Sequence, residues 1–151
     1  MTPGLSNFAA RLRESIRSGF RTEDFGAFSL ELFRLQFESN SGYRNICESW
    51  RSTPLTVNHW SRIPAVPTAA FKELELTSLS PAERTHVFHS SGTTEQRPSL
   101  HFHNAESLAV YETSLWPWLV ENLRLPIADS RLLMLTPPPR QTPHSSLVYM
   151  F

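Results

Sequence analysis

The chain has 151 residues, 14 basic and 14 acidic side chains and a formal net charge of zero, which removes the electrostatic case for nucleic acid or an anionic membrane as the main partner. Its single cysteine, Cys47, excludes an internal disulfide framework and fits a reducing compartment. No window reaches the ~18 apolar residues of a transmembrane helix, and Met1 to Leu5 lacks the basic and apolar regions of a signal peptide, so a soluble cytoplasmic protein without a membrane span is expected, formed of one domain or a piece of a larger one.

Phe8, Leu12 and Ile16 recur at helical spacing among Arg11, Arg13 and Arg17 and predict a short amphipathic helix ending near Gly19. Asp24 is placed to cap a second helix, whose broad apolar face runs from Phe25 through Phe28, Leu32, Phe33 and Leu35 to Phe37. Ser39-Asn40-Ser41-Gly42 interrupts it. Tyr43, Ile46, Cys47 and Trp50 then predict a third helix that stops before Pro54. These aromatics read as core, and Cys47, on the apolar side, as a buried inert thiol rather than a nucleophile.

Paired prolines exclude helix and central strand around Ile63-Pro64-Ala65-Val66-Pro67, so Val57 to Thr68 reads as an extended linker between a helical segment, residues 1–56, and a site-bearing part, residues 57–151. Phe71 to Leu76 alternates loosely, as a strand would. Ser80-Pro81-Ala82-Glu83 reads as a turn or one helical turn, Thr85 to Phe88 as a strand, and Leu100 to His103 as the strand that returns. Asn104 caps a helix to about Leu125, which Pro117 should kink or divide. Leu132-Leu133-Met134-Leu135 reads as a strand buried on both faces, and Thr136 to Pro143 as a proline-rich loop. This order predicts an α/β fold with a buried sheet, whose open edges make self-association an expectation. Leu147 to Phe151 is apolar and ends without a cap, which reads as a truncated chain; a terminal element tucked into the core is the alternative.

The stretch between the two strands carries the functional signal. Ser90-Ser91-Gly92-Thr93-Thr94 offers four hydroxyls and several backbone N–H groups within one small volume, and Gly92 lets the backbone turn tightly against a ligand. Concave arrays of such donors bind anions, phosphates above all. A plain polar hairpin loop uses the same residue types.

Phe88-His89-Ser90-Ser91-Gly92-Thr93-Thr94 resembles the phosphate-binding motif of the adenylate-forming superfamily, which includes acyl-CoA synthetases and luciferases. More closely, residues 88–99 are similar to the corresponding loop of the acyl-protein synthetase (LuxE-type) branch, which activates fatty acids for reduction to aldehydes in bacterial bioluminescence. Ile63 to Pro67 with Phe71-Lys72, then Pro98-Ser99 and His101, Tyr111 and Ser114, Pro137 to Pro143 and Ser145 to Met150 carry the rest of the likeness, which runs from about Val57 onward. Glu95 departs from it, standing where the family usually has a glycine; its charge would repel a polyphosphate unless it points away or meets Mg²⁺, and Arg97 is near enough in sequence to offset it.

The resemblance implies N-terminal helices followed by part of an adenylate-forming-type sheet domain. It implies ATP and Mg²⁺, with Ser90, Ser91, Gly92, Thr93 and Thr94 holding phosphates, a fatty acid or other carboxylate activated as an acyl adenylate, and transfer to a protein thiol such as that of an acyl reductase subunit. His144 corresponds to a position beside the acyl pocket; an ordinary surface histidine is the other reading. Lys72 belongs to the approach to the loop, not to the late catalytic lysine, and Cys47 lies too early to match the acceptor cysteine. The expectation is therefore the N-terminal part of such an enzyme, inactive alone, with a non-catalytic binding or scaffold module as the alternative.

Overall fold

The computed structural model describes residues 1–90, 98–123 and 133–150. Three helices open the chain. α1, Pro3–Arg17, begins on Thr2, whose hydroxyl accepts from the N–H of Leu5, and places proline in its first turn, where no N–H is needed. It ends at Ser18, and Gly19 follows at φ +87°. Its buried face is Leu5, Phe8 and Ala9, one turn earlier than the sequence pattern centred on Leu12.

α2, Phe25–Ser39, is the central helix of the N-terminal half. Phe33 and Leu35 are two residues apart, so they point to nearly opposite sides at about 100° per residue, and each enters a separate cluster. Leu35 packs with Leu5 and Phe8, with Met1, Leu12, Phe28 and Leu32 around them. Phe33 packs with Tyr43, Cys47 and Val57. The width of the apolar face therefore reflects two buried surfaces. Asp24 makes no side-chain cap to this helix; the chain enters through a 3₁₀ turn at Thr22–Asp24, and the carboxylate instead accepts from Arg21 Nε at 3.3 Å.

α3, Ser41–Ser49, follows after one residue. Asn40 serves both ends: its N–H donates to the Gln36 carbonyl at 2.8 Å, and its Oδ1 accepts from the Tyr43 N–H at 3.0 Å. Cys47 is fully buried, while Trp50, at the C-cap, is 55% exposed rather than in the core.

Residues 57–68 fold back onto the helices. Val57 is buried, Ile63 and Val66 pack against the Phe33 cluster, and the Tyr43 hydroxyl donates to the Pro64 carbonyl at 2.9 Å. The strand expected at Phe71 to Leu76 is instead a single helical turn, α4, Ala70–Glu73. The N–H groups of Ala70 and Phe71 are satisfied by the Pro67 and Thr68 carbonyls, and Phe71 and Leu74 stand at i,i+3, a helical as much as an alternating spacing.

β1, His86–His89, and β2, Leu100–His103, form an antiparallel hairpin with His86 opposite His103 and Phe88 opposite His101. Its two strands are the only sheet among the described residues, so the fold is mixed α and β with a small sheet. Asn104 caps α5, Ala105–Leu123: its Oδ1 accepts from the Ser107 N–H at 2.9 Å, and the Ser107 hydroxyl accepts from the Asn104 N–H at 3.0 Å. α5 passes through Pro117 undivided. It packs against α1 and β2, joining the hairpin to the N-terminal helices.

The buried strand expected at 132–135 is not formed at its described positions: Leu133 is 84% and Leu135 90% exposed, and neither lies in a strand. Leu132 lies outside the described residues. The proline-rich stretch remains irregular, and Ser145 caps the short α6, Ser146–Tyr149. No helix among the described residues is long and apolar enough to cross a membrane.

Candidate functional site

Of the five loop residues, Ser90 is described; Ser91, Gly92, Thr93 and Thr94, together with Glu95 and Arg97, lie outside the described residues. The base of the loop is well defined. The Ser90 N–H donates to the Ser99 carbonyl at 3.1 Å, and the Ser99 N–H donates to the Ser90 hydroxyl at 2.8 Å. Ser90 thus spends an acceptor position on closing the loop and keeps its O–H to donate. Ser99 is buried, and its hydroxyl pairs with His101 Nε2 at 2.9 Å. The imidazole of His101 lies beside the ring of Phe71, with centroids 5.3 Å apart and the planes tilted by 33°. Burial lowers the pKa of His101, so the neutral ring is favoured there.

His144 is exposed but not loose. Its backbone carbonyl accepts from the His89 N–H at 2.9 Å, and its Nδ1 lies 3.0 Å from the Val87 carbonyl. A carbonyl only accepts, so Nδ1 carries the proton and Nε2 is the acceptor of the neutral ring. The ring stacks on His89 at 4.4 Å with 17° between planes. These contacts occupy two backbone groups on the outer edge of β1, which blunts that edge.

Ser90 and His144, 54 positions apart in sequence, therefore border one depression of about 600 Å³, shared with His89, Gln141, Thr142, Ser145 and Ser146. Thr142 also borders it; its Oγ1 is buried and has no hydrogen-bond partner among the described residues, a condition that costs free energy.

Three comparisons, with family models, curated proteins and solved structures, give no match to this chain.

Other candidate groups are set apart. Burial pushes the Cys47 thiol up in pKa, which disfavours the thiolate a nucleophile needs. Among the described residues no group of three or more His, Cys, Asp or Glu could hold a metal ion. The sequence reading named His89, Ser99 and His101 only as part of the motif resemblance, without the Ser99–His101 pairing or the His89–His144 contact, and gave Thr142 no role. A signal for the Ser99–His101 pairing was present, since His101 and His103 alternate with Leu100 and Phe102 and so share a face of the strand. Nothing local announces that His144 docks on β1.

Proposed function

We propose that the chain is the N-terminal part of an acyl-protein synthetase-like enzyme, which activates a fatty acid with ATP as an acyl adenylate and passes the acyl group to a protein thiol, and that it is inactive alone. The observation that carries this reading is the convergence of Ser90 and His144, both taken from the motif resemblance, on one depression. Ser90 and Ser145 border it, and their hydroxyls, each accepting from a backbone N–H, keep an O–H to donate to a phosphate oxygen. ATP with Mg²⁺ supplies a phosphoryl centre that a carboxylate attacks, with pyrophosphate leaving. The hydroxyls and N–H groups of Ser90 to Thr94 hold the charge that develops on the leaving group, as preorganised donors do. The Ser90–Ser99 pairing closes the base of the loop, and His144 is held on β1 through Nδ1.

A second reading is a non-catalytic binding or scaffold module of the same ancestry. It is favoured by the smallness of the sheet, two strands among the described residues.

Calorimetric titration with pyrophosphate and with Mg-ATP tests the proposal. Both should bind. Thr93→Ala should weaken pyrophosphate about tenfold, on the order of 1.4 kcal/mol. Thr142→Val should not lower the melting temperature, because removing an unsatisfied buried hydroxyl costs the free protein little. Glu95→Gly should tighten Mg-ATP. Fatty-acid-dependent ATP–pyrophosphate exchange should be absent. Binding indifferent to Thr93→Ala would remove the phosphate site, and robust exchange by the pure chain would remove the claim that it is inactive alone.

A further inference from the structure

A separate cavity of about 570 Å³ lies between the N-terminal helices and the hairpin, within the size range of small-molecule sites. It shares no lining residue with the Ser90–His144 depression. Its walls are mainly apolar: Phe8 from α1, Leu79 from the segment before the hairpin, Phe102 from β2 and Val110 from α5. Two polar groups meet at one side, where His103 Nδ1 lies 3.2 Å from the Ser107 hydroxyl. Burial first, then the neighbouring His101 and His86, lowers the pKa of His103, which favours its uncharged ring.

Charge decides what such a cavity accepts. No lysine or arginine is among the described residues that line it. The ammonium of Met1, at its wall, is paired with Glu83. A carboxylate or phosphate entering here would give up its hydration and meet no unpaired cation, a large cost in an apolar setting. A neutral molecule would lose little water and gain contact with the apolar walls.

We infer that this cavity binds a neutral lipophile, with an aliphatic body against Phe8, Leu79 and Val110 and one hydroxyl or carbonyl head against Ser107 and His103. The inference is independent of the activity proposed above, because a fatty acid is an anion and is disfavoured here.

The test uses the whole chain and the neutral fluorophore N-phenyl-1-naphthylamine, displaced by 1-decanol or by decanoate near neutral pH. The dye should bind saturably, and decanol should displace it at a concentration at least about tenfold lower than decanoate. Val110→Phe and Ala9→Leu, which fill the cavity from α5 and α1, should each weaken dye and decanol binding about tenfold or more while still melting cooperatively. Should either variant fail to fold, photolabelling of the unsubstituted chain with a diazirine analogue of decanol locates the site, and labels should fall on α1, α5 or the segment around Leu79. Absence of saturable binding, labels confined to other surfaces, binding unaffected in folded cavity-filling variants, or decanoate binding as tightly as decanol would each overturn the inference. Loss of pyrophosphate binding would leave it standing.

Discussion

Arg51 is the one non-glycine residue with positive φ among those described, at 53°. It sits just after α3, where the Ser52 N–H returns to the Cys47 carbonyl and the Arg51 N–H to that of Glu48, a helix stop that usually employs glycine. A side chain in this conformation costs about 1 kcal/mol. Arg51→Gly is expected to raise stability by up to about 1 kcal/mol, read as a higher urea midpoint at unchanged slope; a lower midpoint would show that Arg51 makes compensating contacts. Tyr43 gives the second prediction at this scale. Burial, chiefly, raises the pKa of its phenol, and its hydroxyl donates to the Pro64 carbonyl. A raised folded pKa favours the protonated form, so the linked stability is present below the unfolded value of about 10 and is lost as pH rises through the folded one. Denaturation midpoints should therefore fall above about pH 10, and Tyr43→Phe should flatten that limb while costing about 1–2 kcal/mol at neutral pH. An unchanged alkaline slope in the variant would assign the effect to other groups.

Elements in this chain are delimited by caps more than by propensity. Asn40 closes α2 and opens α3, whereas Asp24, an equally favoured residue type at an N-cap, makes no such bond. The two positions make a matched test. Asn40→Ala should cost about 1–2 kcal/mol, and Asp24→Ala less than about 0.5, since the latter loses only an exposed ion pair with Arg21. Equal losses in thermal or urea denaturation would mean that Asp24 caps α2 in solution. The hairpin follows the same logic. Its strands are only four residues each, but Ser90–Ser99 pairing extends it towards the loop, and His144 covers the outer edge of β1.

At the scale of the whole molecule, α1 unites the two halves. It touches α2 on one side and α5 on another, and Phe8 is buried among Leu5, Leu35 and the edge of Phe28, whose ring centroid is 5.7 Å away. Phe8→Ala should cost about 3–5 kcal/mol, a large share of the ~5–15 kcal/mol available to a domain. Near- and far-ultraviolet circular dichroism should then lose signal in one transition. Two separated transitions would show that residues 1–56 and the hairpin part unfold independently.

Local signals in the sequence determined a good deal. The bounds of β2 match at both ends, and β1 is displaced by one residue. α1 ends at Arg17, near Gly19 as expected, Asn104 caps α5, and the Ser80–Glu83 turn forms with the Ser80 N–H donating to the Glu83 carboxylate. Each depends on residues within a few positions of one another, where backbone geometry and capping act directly. Only the tertiary structure decided the rest. Phe71 to Leu76 and Leu133 to Leu135 have strand-like patterns, but a strand needs a partner, and whether one is supplied is settled far away in sequence. Trp50 and Trp118 fit helical apolar faces yet remain 55% and 60% exposed, because burial depends on what packs opposite. The same holds for the site. Residues 90–94 were singled out through the motif resemblance, whereas the approach of Ser90 to Thr142 and His144 follows from hydrogen bonds between β1 and His144, more than 50 residues later, contacts that leave no local trace in either stretch.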